Sequence, residues 1–283
     1  MRYAGAYSYL IGMSGGAAYL LIISLVDIIE AKMIAIILAA GSGTRISKYT
    51  KNIPKGLLQI NGKSVIQRQI DLFKKKKINE IIIITGPHKN FGIQDVSYIN
   101  DKEHLNHDVL GSLMVARDSI KGEIITSYSD IIFDEKILDQ ILNFKGDIGI
   151  PIDLDWEKHY EGRTEHPKLE ADNVILKDKK IIKIQKNITT KNKDEIVGEF
   201  LGPIIFSKKG SEIFMKHYKK IEKTHKKEFH NAPSLEKAYL TDMIQELIDN
   251  DVKITPIFIN GKWYEIDTPQ DLEMVAKLFR QDS

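Results

Sequence analysis

The chain has 283 residues, with 41 Lys and Arg against 39 Asp and Glu, a formal charge of +2. That balance excludes a global electrostatic pull toward nucleic acid or an anionic membrane. The lack of cysteine excludes disulfides, thiolate catalysis and Cys-ligated zinc, and it fits a reducing, cytoplasmic setting.

Residues 1–32 differ from the rest. No charged residue lies between Tyr3 and Val26, a length that suits a span of ~20 residues, although Tyr, Ser and Gly dilute it. Three readings fit: a membrane anchor that would associate the protein with a bilayer, an ordinary extension, or a start site assigned too early. Residues 33–283 read as one domain in which strands and helices alternate. "MIAIILAA" is a continuous apolar run, as expected of a parallel strand buried on both faces. Asn61-Gly62 is a tight hairpin turn. Ser64 caps a helix through Phe73, and the lysines at 74–77 suit a solvated helix end. "EIIIITG" is a second buried strand, residues 109–120 a helix, "EIITSYSD" a third strand and residues 147–156 a fourth. Residues 173–186 alternate about a polar turn, as an antiparallel hairpin does. Residues 199–207 read as one strand, 211–222 as a helix, and Thr241 as the cap of the next. Residues 252–261 give the last strand, before a helix over 269–281. The pattern predicts a three-layer α/β domain with a mostly parallel mixed sheet.

"LAAGSGTR" sits at the end of the first strand, where open α/β sheets bind ligands. Its glycines allow close backbone approach and a nest of N–H groups, and Arg45 adds bidentate positive charge. The turn is built for a polyphosphate. It is not a dinucleotide fingerprint, because Ile46 stands where the third glycine belongs. Gly62-Lys63-Ser64 lacks the P-loop spacing to Gly56.

The stretch "LAAGSGTRISKYTKNIPKGLL" resembles the signature of the nucleotidyltransferases that join a nucleoside monophosphate to a sugar phosphate or alcohol phosphate. It matches at Leu38, Ala39, Ala40, Gly41, Gly43, Thr44, Arg45, Pro54 and Lys55. The resemblance implies a Rossmann-like, GT-A-like fold. It implies that Leu38 through Thr44, Ser42 included, bind nucleotide, and that Arg45 and Lys55 are catalytic. Gly56 departs from the usual Ala, Pro, Cys or Leu, with little expected consequence. "SYSDIIF" places Asp130 where the family holds a magnesium-binding aspartate, and "WYEIDTPQDLE" supplies Glu265 and Asp267 as further Mg²⁺ ligands. "INDKEHLNHDVLGSLMVA" is similar to the nucleotide-side segment of cytidylyltransferases acting on phosphocholine or on aminoethyl- and hydroxyethylphosphonate. It implies roles for Asp108, Gly111 and Ser112 in binding CTP.

In the residues themselves, a nucleoside triphosphate brings roughly four negative charges and a phosphate or phosphonate acceptor about two. Positioning and electrostatics then carry phosphoryl transfer without a protein nucleophile. Trp156 and Tyr160 could face an acceptor ammonium, Arg163 clamp its phosphonate and Glu199 pair with its amine; packing and surface roles are the alternatives. His104, His107, His159 and His166 form no metal set at recognisable spacing, and His166 is a pocket candidate. Rival functions are a sugar-1-phosphate nucleotidyltransferase using UTP, dTTP or GTP, a glycosyltransferase using Asp153 and Asp155, and a nucleotide sensor.

Overall fold

In a computed structural model, which describes residues 32–41, 43, 46 and 53–280, the apolar run after Met33 forms β1 (Ile34–Ala39), buried throughout. Its side chains alternate between two cores, Ile34, Ile36 and Leu38 entering one and Ala35, Ile37 and Ala39 the other. Burial of both faces explains why the run has no polar alternation. Asn61 (φ 49) and Gly62 (φ 78) then turn the hairpin of β2 (Gln59–Ile60) and β3 (Lys63–Ser64). The Ser64 hydroxyl accepts from the Gln67 N–H, capping α1 (Val65–Lys75).

The next elements are β4 (Glu80–Thr85), β5 (Ser97–Asn100), α2 (Val109–Val115) and β6 (Ile124–Tyr128). The helix predicted over 109–120 stops at Val115 and continues as a single 3-10 turn, Arg117–Ser119. Then come β7 (Ile131–Phe133), α3 (Glu135–Leu142), β8 (Ile148–Asp153), β9 (Asp172–Lys177) and β10 (Lys180–Lys186). Asp178 and Lys179, both at positive φ, turn β9 into β10 as the sequence predicts. The single strand expected over 199–207 is instead the end of β11 (Glu195–Phe200) and all of β12 (Ile204–Phe206). Pro203 has no N–H to give a ladder, and the break lets β11 and β12 pair with different ends of one edge of β8, at Ile152–Asp153 and Ile148–Gly149, while β13 takes the other edge. The chain ends its described course with α4 (Lys208–Thr224), α5 (Leu240–Asp249), β13 (Ile254–Phe258), β14 (Trp263–Glu265) and α6 (Pro269–Leu278). Thr241 lies inside α5 and does not cap it. The Asp242 carboxylate does so by accepting from the Tyr239 N–H at 2.8 Å.

The main sheet is mixed and ten-stranded, in the order β10-β9-β11-β8-β12-β6-β1-β4-β5, with β13 also on β8. Its β6-β1-β4-β5 part is parallel. α2, α4 and α5 cover the first core and α1 and α3 the second, giving the three predicted layers. A small second ladder pairs β14 with β7. From Met33 onward the chain forms one compact unit. Among the described residues no helix is long and apolar enough to cross a membrane. The candidate anchor in 1–32 falls, but for Lys32, outside them.

Candidate active site

Three local devices converge at the carboxyl end of β1. The β1–β6 register sets Leu38 beside Tyr128, and the Leu38 carbonyl accepts from the Ser129 N–H at 2.9 Å. Asp130 therefore stands next to the glycine turn. The β14–β7 ladder sets Glu265 opposite Ile131, and the Asp130 carbonyl accepts from the Ile266 N–H at 3.0 Å. Finally, Thr268-Pro269-Gln270-Asp271 is a capping box at the start of α6. The Asp271 carboxylate accepts from the Asp267 and Thr268 N–H groups at 2.9 and 2.8 Å. This box fixes Asp267 just ahead of the Thr268 cap of the helix.

Lys55 occupies the centre. Its ammonium donates to Asp130 Oδ2 at 2.8 Å and to Asp267 Oδ1. Burial works against the lysine charge, but Asp130, Asp267 and Glu265 outweigh it and raise its pKa above the ordinary value. Glu265 is pushed up first by burial, then by Asp267 and Asp130. Gly56, expected to matter little, is where the Lys55 backbone passes the Asp130 turn. A Cβ there would lie 3.0 Å from Ser129 Cβ.

A cleft of about 350 Å³ opens in front of this cluster, lined by Leu38, Ala39, Ala40, Gly41 and Gly43 on one side and by Asp108 and Ser112 on the other. Gly111 does not line it. Ser42, Thr44 and Arg45 lie outside the described residues. A smaller chamber of about 60 Å³ adjoins the cleft and shares Tyr128, Asp172, Lys186, Glu265 and Asp267 with it. Glu199 lines this chamber. Its Oε1 accepts from the Tyr160 hydroxyl at 2.6 Å, and its Oε2 is buried without a partner. Burial lifts Glu199 to about 8, with Tyr160 opposing and Asp172 adding.

Two predicted acceptor residues are placed elsewhere. Trp156 is buried and packs edge-on against Tyr160, centroids 5.8 Å apart. The Arg163 side chain is 3% exposed and paired with Asp271. Its Nε donates to Asp271 Oδ1 at 3.0 Å and its Nη2 to the Glu265 carbonyl at 3.1 Å. An arginine held in this way braces the loop that carries Glu265 and Asp267 and is not exposed to clamp a substrate. Asp153, the glycosyltransferase candidate, accepts from the Trp263 indole at 2.8 Å and from the Asp155 N–H, so its oxygens are engaged in structure.

The donor set fits a divalent cation. Asp130 Oδ1 is buried and has no hydrogen-bond partner, and Glu265 and Asp267 stand with it around Lys55. His166, Glu265 and Asp267 also offer ligand atoms within 4.8 Å of one another. Yet Arg163 Nη2 lies 2.8 Å from His166 Nδ1, and a guanidinium only donates. The network thus assigns His166 its proton on Nε2, which leaves that nitrogen no lone pair for a metal. Carboxylate oxygens remain, the ligands that Mg²⁺ prefers.

The MobA-like NTP transferase domain family matches residues 35–155, which hold the glycine turn, Lys55 and Asp130. Those residues form a nucleotidyltransferase domain. The CTP:phosphoglutamine cytidylyltransferase of Campylobacter jejuni is 28% identical over 259 residues, covering 86% of this nucleotidyltransferase and 98% of that protein. The choline-phosphate cytidylyltransferase of Streptococcus pneumoniae is 37% identical over 109 residues, 36% of this chain and 46% of the other. Among solved structures, the inositol-1-phosphate CTP transferase from T. maritima superposes with a TM-score of 0.66 at 17% identity, covering 89% of this chain and 98% of that one. That likeness speaks for the fold.

Sequence reasoning missed two groups of this nucleotidyltransferase. Lys186 lines both cavities and donates to Glu170 Oε2 at 3.1 Å. Burial opposes its charge, while Asp172 and Glu170 raise its pKa. Asp172 is itself lifted to about 6 by burial, against Lys186. Both sit at hairpin ends among solvated lysines, so their pattern reads as surface. The only signal was the hairpin itself, whose two ends must lie side by side.

Proposed function

We propose that this nucleotidyltransferase is a Mg²⁺-dependent cytidylyltransferase. It moves CMP from CTP to a small phosphocholine-like or phosphonate acceptor and releases pyrophosphate. The single observation that carries the reading is the Lys55 ammonium bound to Asp130 and Asp267 beneath the glycine turn. The cytidylyltransferase names of its relatives favour CTP, and the unpartnered Glu199 oxygen favours an acceptor with a polar group at its far end.

An acceptor oxygen attacks the α-phosphorus, and the bond to the bridging oxygen of pyrophosphate breaks. Charge repulsion dominates the barrier, so fixed cations do the catalytic work. The backbone of Gly41 and Gly43 lies along the triphosphate, and Arg45 meets the leaving pyrophosphate. Lys55 neutralises the α-phosphate, while Asp130 and Asp267 aim its ammonium. Lys186, at the junction of the two cavities, meets the acceptor's anionic head. Asp130, Glu265 and Asp267 would hold Mg²⁺, which supplies Lewis-acid charge neutralisation when bound.

The test is pyrophosphate release by the full chain with Mg²⁺. CTP, UTP, GTP and dTTP are each paired with phosphocholine, aminoethylphosphonate, phosphoglutamine and glucose 1-phosphate. Release confined to CTP with phosphocholine, aminoethylphosphonate or phosphoglutamine is the expected result. Release only with glucose 1-phosphate and another nucleotide would overturn the substrate assignment.

A further inference from the structure

The nucleotide wall of the cleft rests on one carboxylate. Asp101 follows β5 and is fully buried. Its Oδ2 accepts from the Ser112 hydroxyl at 2.8 Å. Its Oδ1 accepts from the Glu103 N–H at 3.1 Å and lies 3.1 Å from His107 Nε2. The Asp101 N–H is itself tied to the Thr85 carbonyl at the end of β4, at 2.7 Å. The hub is therefore anchored to the parallel sheet. His107 and Ser112 both line the cleft. The His107 ring lies so close to the α2 backbone that a Cβ at Gly111 would come within 2.5 Å of its Cγ. Glycine at 111 thus serves the position of His107.

We infer that Asp101 is a positioning residue that makes Ser112 an acceptor-only hydroxyl, and that this wall selects a nucleobase edge bearing an amino group over one bearing a carbonyl. A serine hydroxyl has one proton and two acceptor lone pairs. A carboxylate with no proton of its own takes the Ser112 proton inward, so only lone pairs face the cleft. An exocyclic amino group, as on cytosine, donates to those lone pairs. The carbonyl of uracil or thymine at the same position meets acceptor against acceptor, and leaving a buried polar group unpaired is what gives such sites their discrimination. His107, with Nε2 turned to Asp101, is the fixed side wall that keeps the base in register. The inference rests on the cytidylyltransferase reading above and names the chemistry by which that site chooses its nucleotide.

CTP and UTP differ only along one edge of the base, at the C4 substituent and at N3, so they are the probes. Their dissociation constants with the full chain and Mg²⁺, measured calorimetrically without acceptor, give a preference ratio. The wild type is expected to favour CTP by about tenfold or more. Asp101→Asn offers Ser112 an amide donor in place of an acceptor, which frees the hydroxyl proton to point into the cleft. The ratio should fall at least tenfold, with UTP binding improved in absolute terms, an effect that loosened packing does not produce. Ser112→Ala should bring the two nucleotides close to equal. Melting temperatures of each variant keep a folding defect apart from a binding one. A ratio unchanged in Asp101→Asn and Ser112→Ala would overturn the inference while leaving the function intact. A wild type that binds neither nucleotide would overturn the function and the inference with it.

Discussion

Lys55 Nζ lies 2.8 Å from Asp130 Oδ2, although 75 residues separate the two in the chain. The pair joins the lysine behind the glycine turn to the carboxylate at the end of β6, and Asp267 closes the other side. Removing either member should separate catalysis from folding. Lys55→Ala leaves Asp130 and Asp267 without their counter-charge but with access to solvent cations. Turnover measured as pyrophosphate release should fall by about 10³-fold, the scale of losing a preorganised transition-state cation. Asp130→Ala should do comparable harm, with far-UV circular dichroism unchanged in both. Near-normal rates in either variant would remove that residue from the mechanism.

Glu199 gives a pH signature. Its folded-state pKa is lifted to about 8 from an ordinary 4.5, chiefly by burial. A carboxyl with a raised folded pKa contributes stability that is complete below the unfolded value and is lost as pH rises through the folded one. The window is therefore pH 4.5 to 8, and across it each pH unit costs at most about 1.4 kcal/mol. The melting temperature of the wild type should decline through that window, and Glu199→Gln should flatten the decline. Parallel curves for the two proteins would mean that the carboxyl is not held neutral.

Arg163, assigned differently by sequence and structure, makes a third test. Arg163 pairs with Asp271, both buried. Burial works to raise the Asp271 carboxyl, but the Arg163 guanidinium, the Asp267 N–H and the Thr268 hydrogen bond prevail and hold it at about 2. Arg163→Ala strands a buried carboxylate, a change that typically costs about 3–5 kcal/mol. Unfolding by urea should show that loss, and Arg163→Lys should recover only part of it, since an ammonium cannot reproduce the fork. A variant with unchanged stability and a raised KM for the acceptor alone would restore Arg163 to the substrate clamp.

The contrast shows what a sequence makes legible. The glycine turn, Lys55 and the Asn61-Gly62 hairpin depend on neighbours a few residues away, and their local patterns suffice. Asp130, Glu265 and Asp267 were recognised through the resemblance, and the ladder of β7 with β14 explains why they meet. Arg163 was misplaced because its partner lies 108 residues downstream, and no local pattern tells a buried ion pair from an exposed clamp. The strand β5 went unseen because "SYIN" is a four-residue, incompletely buried edge without a strong apolar run. His107 read as an ordinary polar residue since its carboxylate partner, Asp101, lies in a turn six residues earlier whose shape no periodicity reports.

The proposed metal dependence gives a test that separates the carboxylates from the histidine beside them. Removing divalent ions with a chelator should abolish pyrophosphate release, and Mg²⁺ should restore it. Asp267 faces Lys55 with one oxygen, and its other oxygen, Oδ2, lies 3.7 Å from His166 Nδ1, so its loss strips the site of a hard ligand. Asp267→Asn should raise the Mg²⁺ concentration for half-maximal rate by at least about tenfold, in the range typical for perturbing a metal site. His166→Ala should raise it much less, because the Arg163 contact to Nδ1 leaves the histidine a proton donor. Titration of Mn²⁺ binding by electron paramagnetic resonance supplies the same comparison without turnover. If His166→Ala weakened Mn²⁺ as much as Asp267→Asn, the imidazole would be a metal ligand, and the proton would have to sit elsewhere in the Arg163–His166–Asp271 network.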